Sequence, residues 1–386
     1  MSYRQPVRSI AIIGGGIGGA AAAVALRQAG IDATVYERSR LMRETGAGMM
    51  LWPNATRVLR DLGLLEDVLA RSGPSTNFLV RDSGGKILMN IALGKFDVPA
   101  ICVRRADLLA VLLAALEPEQ VHLGYEFQQL VQTTEKVRIH FANGEVKEHD
   151  AVIGADGIRS RVRQTLFGAS DPIYRGYIVW RGVARYDGGA IGRGTNSETW
   201  GIGKRFGILD IGQDKFTWYA TLNVPSDHQD ASCGRKREIR HAFDGWHDPI
   251  ADLIEATADD AILKNGAYDN VPLRRWGNGL VTLLGDAAHP CTPNLGQGGC
   301  MALEDALVLA KCVDRDILIA NAMRCYESLR YSRTRHIQQR SLVMGHIGQW
   351  ENRFIARGRQ MVTNLLPARL FERNLRRVYS YEIPHS

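Results

Sequence analysis

The 386-residue sequence predicts an α/β protein, with a parallel-sheet domain drawn from separated stretches of chain, a β-rich insertion and C-terminal helices. Three observations predict it. A β-branched run, a glycine cluster and an alanine-rich helix succeed one another over residues 9–29. Glycine-punctuated aromatic runs replace helical patterning over 176–224, and an apolar strand returns at 279–284, leading into a second glycine-rich turn and helix.

The first unit follows from local physics. Ser9-Ile10-Ala11-Ile12-Ile13 suits a buried parallel strand. Gly14, Gly16 and Gly19 complete a GxGxxG pattern, which allows a tight turn and lets backbone N–H groups approach a pyrophosphate at the start of the helix over 20–29. Ala33-Thr34-Val35-Tyr36 forms the second strand, and Glu37 at its end has the spacing of the carboxylate that takes ribose hydroxyls. Arg38 joins it as a cofactor-site candidate. An acid at this point fits FAD or NAD and disfavours a 2′-phosphate. The run 9–26 is uncharged and long enough for a membrane span, but its five glycines fit a buried β-turn-α unit better, and no cleavage site marks a signal peptide.

Further along, 61–69 and 107–116 read as helices, the second ended by Pro118. Residues 137–141 and 152–154 read as strands around a turn at Ala142-Asn143-Gly144. Residues 176–224 read as an antiparallel meander, and 299–313 as a helix. The organisation is therefore discontinuous: 1–75, 101–175 and 271–345 form the nucleotide-binding domain, 76–100 and 176–270 the β-rich substrate domain, and 346–386 a helical segment.

Composition excludes several classes. Six cysteines (Cys102, Cys233, Cys291, Cys300, Cys312, Cys325) show neither metal spacing nor a disulfide framework, so reduced thiols, a cytoplasmic location and no metal site are expected. The net charge of +7 suits anionic cofactors. From 330 to 377 there are eleven arginines, no lysines and two acids, interleaved with apolar residues. This reads as basic amphipathic helices, packed over the nucleotide-binding domain in preference to weak peripheral contact with anionic lipid; no nucleic-acid module accompanies them.

Two further motifs carry the chemistry. Gly154-Ala155-Asp156-Gly157-Ile158-Arg159-Ser160 is a DG motif, and Gly285-Asp286-Ala287-Ala288-His289-Pro290 continues through Pro293 to Gly296-Gln297-Gly298-Gly299. With GxGxxG, these three in this order resemble the group A FAD-dependent aromatic hydroxylases, whose fold is the Rossmann-like GR2 or para-hydroxybenzoate hydroxylase type. The runs 198–207, 218–222 and 348–351 resemble the bacterial 2-alkyl-4-quinolone 3-monooxygenases, and the flavin motifs also resemble urate and salicylate hydroxylases. The resemblance implies that Asp286 binds a ribityl hydroxyl of FAD, and that Gly296, Gln297, Gly298 and Gly299 meet the flavin pyrimidine edge and phosphates. It places Pro293 beside the flavin face where oxygen reacts, and it has Arg105 contacting the cofactor. Asp156 and Arg159 would serve the pyrophosphate and the transient NADH or NADPH.

From the residues alone, Asp286 after a strand also suits a turn cap and His289 an ordinary loop histidine bonded to backbone; His289 is not assigned as a base. Cys300 departs from the family's commoner asparagine. The implied reaction is hydroxylation of an aromatic or heteroaromatic small molecule with NAD(P)H and O2 through a flavin C4a-hydroperoxide, in a monomer or homodimer. A second GxGxxG is absent, so the donor binds without its own Rossmann domain. A halogenase or saturating reductase remains an alternative, although no WxWxIP motif is present, as does a non-catalytic flavin binder. On the strand 216–223 the period of two puts Thr217, Tyr219 and Thr221 on one face. That face is expected to look toward the flavin, with Tyr219 as its candidate functional residue, although a core position for Tyr219 is also open.

Overall fold

The computed structural model describes residues 9–42, 47–93, 96–187, 189, 191–315, 318–365, 372–373, 376 and 378–383. Its centre is a five-stranded parallel sheet in the order Val281–Leu283, Ala151–Gly154, Ser9–Ile13, Asp32–Glu37, Val121–Leu123. Ile10, Ala11 and Ile12 are fully buried there, as a strand covered on both faces requires. The alanines of the helix Ile17–Gln28 are equally buried. Small side chains let this helix lie close against the helix Gly298–Arg315. A three-stranded antiparallel sheet (Phe127–Gln132, Val137–Phe141, Val146–His149) flanks it. On its aromatic side, Tyr36 stacks on His122 and bonds His149 Nε2 at 2.9 Å.

A second layer is a seven-stranded sheet, in the order Leu263–Asp269, Ile173–Arg185, Lys215–Asn223, Lys204–Asp210, Thr195–Trp200, Asn77–Asp82, Ile87–Ala92. One face carries Phe206, Phe216 and Trp218 against the helices Arg235–Ala242 and Ile250–Glu255, making a separate apolar core. The opposite face meets the first layer, where Thr217 Oγ1 accepts the N–H of Gly48 at 2.9 Å. A small antiparallel sheet (Gly48–Leu51, Ala100–Arg104, Ser72–Ser75) bridges the two.

Several expectations are corrected. The helix expected over 61–69 is two helices, Pro53–Asp61 and Leu65–Leu69, because Gly63 takes a left-handed conformation with φ +72°. The meander expected over 176–224 is antiparallel throughout; what local patterning does not encode is the parallel, long-range pairing of Thr195–Trp200 with Asn77–Asp82, which carries the sheet beyond that run. The Arg-rich region opens as part of a 30-residue helix, Ile319–Gly348, which packs on Gly298–Arg315. The next helix, Arg353–Leu365, lies instead against the seven-stranded sheet: it packs on Ile87–Ala92, and Arg359 donates to Gly201 O at 2.8 Å. Leu366, Leu370, Phe371, Leu375, Arg369 and Arg377 fall outside the described residues. Among the described residues, no helix is long and apolar enough to cross a membrane.

Candidate active site

Three loops converge at the C-terminal edge of the parallel sheet, where ligands of open α/β sheets bind. The first is the glycine turn. A Cβ on Gly14 (φ +110°) would stand 2.5 Å from Ala155 O of the DG loop, and one on Gly19 would stand 1.9 Å from Gly14 O, so only glycine allows these segments to close. Gly16 precedes the helix Ile17–Gln28 with no side-chain cap, leaving the helix-start dipole to a ligand anion. Half-buried Glu37 accepts the Gly15 N–H at 2.8 Å and the Ser39 N–H at 2.9 Å. Each of its oxygens keeps a lone pair for a ribose hydroxyl, while the Gly15 amide is taken. Arg38 follows with its side chain exposed.

Arg105, first residue of the helix Arg105–Ala114, reaches this turn, its guanidinium 4.0 Å from the Cβ position of Gly16. The neighbouring Arg104 turns instead toward Asp107 at 3.9 Å, which settles which arginine faces the turn. Asp156 is more occupied than its pyrophosphate assignment implies: its carboxylate accepts Ser160 Oγ–H and the N–H groups of Arg161 and Val162, at 2.7 and 3.2 Å. It thereby helps cap the helix Arg161–Phe167. Burial raises its pKa. Arg159 is exposed over the Tyr268 ring at 5.9 Å.

The third loop follows Val281–Leu283. Asp286 opens into the cleft, yet the surrounding protein desolvates its carboxyl and raises its pKa, against the pull of His289 and Arg105. A carboxylate exposed at the floor of a deep cleft behaves this way. Pro293 starts the short turn Pro293–Leu295 with its ring exposed, and Gly296 closes that turn at φ +61°. The helix Gly298–Arg315 then begins, so its first amides face the same cleft as Asp286, whose Oδ1 lies 3.8 Å from the Cβ position of Gly298. Gln297 points inward: its Oε1 accepts Asn54 Nδ2 at 3.0 Å, leaving only its backbone for a ligand. Gly299 is half-buried beside Met49. These residues fit FAD, because the uncapped start of Ile17–Gln28 suits its phosphates and the acids suit its hydroxyls, in a cradle where a Cβ on Gly16 or Gly298 would stand within 4.0 Å of Arg105 or Asp286.

Sequence reasoning missed two networks, naming only Tyr219 as a functional residue of the second. Beneath the Asp286 loop, Glu304, Asp305 and Arg330 are fully buried, with Arg330 Nη2 2.5 Å from Glu304 and Nε 2.6 Å from Asp305. Asp305 also accepts the Gly285 N–H at 3.0 Å and lies 2.5 Å from His289 Nε2. Burial alone would raise the pKa of Asp305, but His289 and Arg330 outweigh it and hold the group at about 2. The signal was present: two adjacent acids inside the apolar run Met301-Ala302-Leu303-Glu304-Asp305-Ala306-Leu307 must find buried partners.

The other network lines the seven-stranded sheet. Tyr219 hydroxyl donates to Glu198 Oε2, and Trp200 Nε1 donates to Glu198 Oε1 at 2.5 Å. Arg205 divides its donors among Glu198 (3.4 Å), Gln349 Oε1 (2.9 Å) and Asn294 Oδ1 (2.6 Å). Tyr177 hydroxyl donates to the same Asn294 oxygen at 3.1 Å. Tyr219 thus joins the loop bearing Pro293 through side chains alone. Burial, with Glu198 beside it, raises the Tyr219 pKa far above the ordinary tyrosine value, so the phenol stays protonated. Arg181, on the strand next to Tyr219, is half-buried, and burial lowers its pKa.

Comparison with known proteins agrees with this geometry. Residues 8–177 match the FAD binding domain family. The chain is 36% identical to an aurachin C monooxygenase/isomerase of Stigmatella aurantiaca, over 96% of this chain and 97% of that one. It is 34% identical to a 6-hydroxynicotinate 3-monooxygenase of Bordetella bronchiseptica, over 88% of this chain and 91% of that one. Klebsiella pneumoniae HpxO, solved with FAD and uric acid, superposes with a TM-score of 0.92 at 27% identity, covering 97% of each chain. The uncapped glycine turn, the cleft carboxylate and these full-length similarities lead to one conclusion: the chain belongs to the group A flavoprotein monooxygenases and is an FAD-dependent aromatic hydroxylase.

Proposed function

We propose that the protein hydroxylates an oxygen-bearing nitrogen heteroaromatic of the 4-quinolone or hydroxypyridine class, with NADH or NADPH as transient donor, in the cytoplasm. The observation that carries this reading is the Tyr219–Glu198–Arg205–Asn294 chain, which runs from the substrate sheet to the Pro293 turn. Similarity to a 6-hydroxynicotinate 3-monooxygenase and to a structure holding uric acid supports a nitrogen heterocycle. Six cysteines whose spacing shows neither a metal motif nor a disulfide framework fit a reducing compartment.

Gly16, Glu37, Arg105, Asp286, Gly296 and the first amides of Gly298–Arg315 would hold FAD. Once bound and reduced, FAD supplies the activated oxygen. The residues on the facing wall prepare the ring. An acidic N–H or O–H of the substrate gives its proton to Tyr219 Oη as Tyr219 passes its own to Glu198, which raises electron density on the carbon to be hydroxylated. Arg205, fully desolvated but held charged by Glu198, fixes that carboxylate in place. Arg181 stabilises negative charge growing on the substrate oxygen. Because the Tyr219 phenol stays protonated at neutral pH, it works as a relay and not as a standing phenolate.

A panel of 2-alkyl-4-quinolones, hydroxypyridines and carbocyclic phenols, incubated with NADH or NADPH and analysed by mass, tests the reading. A gain of one oxygen on the nitrogen heterocycles supports it; turnover confined to carbocyclic phenols overturns it.

A further inference from the structure

The helix Arg353–Leu365 buries Ala356, Arg359 and Thr363, while Phe354, Ile355, Met361, Val362 and Leu365 stand exposed, Phe354 by 83% and Leu365 by 71%. Their spacing of i, i+1, i+7, i+8 and i+11 places all five on one helical face, with Gly358 between them. Solvated helices do not ordinarily present such a stripe. Exposed Arg353 and Arg357 flank it, and residues 352–371 contain no acid. The nearest acid in sequence, Glu351, is held by Asn223 Nδ2 at 2.9 Å. Partly exposed Trp350 and Ile202 extend the patch, joined where the Gly203 N–H donates to Trp350 O at 2.9 Å.

From this arrangement we infer that the face is an interfacial docking surface for an anionic lipid bilayer, lying in the membrane plane with Phe354 and Leu365 inserted and the arginines at the headgroups. A second copy is the poorer occupant, because a twofold contact through this helix would set Arg353 and Arg357 against their own images, and residues 352–371 supply no acid to neutralise them. The buried side of the helix is one packing layer from the substrate wall. Arg359 donates to Gly201 O and to Gly348 O at 2.9 Å, and the next residue, Gln349, bonds Arg205 and Thr221. Docking here brings the substrate sheet to the bilayer surface, where a lipophilic aromatic partitions.

Co-sedimentation of the holoprotein with vesicles tests this without any substrate, so its failure is distinct from failure of the substrate reading. Phosphatidylglycerol/phosphatidylcholine vesicles should bind at least tenfold more tightly than phosphatidylcholine alone, and high salt should weaken binding. Arg353→Gln with Arg357→Gln should lower affinity roughly 25-fold, about fivefold per arginine. Phe354→Asp with Leu365→Asp should abolish it while flavin content and melting temperature hold, since both side chains point away from the fold. Absence of binding by the parent, binding unaffected by the aspartates, or a parent dimer that Phe354→Asp dissociates without any vesicle binding would each overturn the proposal.

Discussion

Replacing Asp305 with Asn keeps its shape and removes one acceptor. In the parent, Oδ1 receives Arg330 Nε at 2.6 Å, while Oδ2 receives the Gly285 N–H at 3.0 Å and faces His289 Nε2 at 2.5 Å. An asparagine whose oxygen stays on Arg330 turns its NH2 toward the Gly285 N–H, donor against donor. Leaving that buried amide unpaired costs about 1–3 kcal/mol. Breaking a buried ion pair ordinarily costs about 3–5 kcal/mol, here reduced because Glu304 still neutralises Arg330. A total near 3 kcal/mol is therefore expected. Part of it falls on the loop that presents Asp286, so FAD affinity should drop about tenfold, equivalent to about 1.4 kcal/mol. The pH dependence follows from the carboxyl being held at about 2 against an ordinary 3.8. Its contribution, about 2 kcal/mol, is complete above pH 4 and is lost as pH falls toward 2. The variant's acid unfolding should accordingly be shallower over that range. Fluorescence titration of the apoprotein with FAD and thermal melts between pH 2.5 and 7 are the assays; an unchanged FAD Kd with an unchanged melt would refute the clamp.

Three further outcomes are expected. Asp286→Ala should purify folded but with much less FAD, since a charge-assisted hydrogen bond worth roughly 1.5–3 kcal/mol is lost; full yellow occupancy would sink the assignment. Tyr219→Phe should keep its FAD content and alter coupling or substrate KM, because only the hydroxyl to Glu198 is removed; kinetics matching the parent's would make Tyr219 structural. Flavin reduction, followed anaerobically by stopped flow, should be slow alone and about a hundredfold faster with the aromatic substrate, a difference of only about 2.7 kcal/mol. Equal rates would remove the gating but not the flavin.

How much of this was legible depends on what is local. The Ser9–Ile13 strand, its glycine turn and its alanine helix announce themselves because β-branching, a turn and helix propensity lie within twenty residues. The alternation over Lys215–Asn223 is legible for the same reason: Phe216, Trp218 and Ala220 enter the helix-covered core, while Thr217, Tyr219 and Thr221 take partners on the other face. What escaped reading is long-range. Arg205 meets Asn294 and Gln349 across 89 and 144 residues, and Arg330 closes on acids 25 and 26 residues earlier through a helix-helix contact. The Arg-rich tail misled for a related reason: composition gives charge, but not that Arg330 and Arg359 would be buried while Phe354 and Leu365 would face outward.

The central claim is that this cleft inserts one atom of molecular oxygen into a ring. Turnover of a quinolone or hydroxypyridine under 18O2 with NAD(P)H, followed by product mass, measures it most directly. One 18O per product molecule is predicted; product oxygen drawn from water, or product formed without oxygen insertion, would contradict the account.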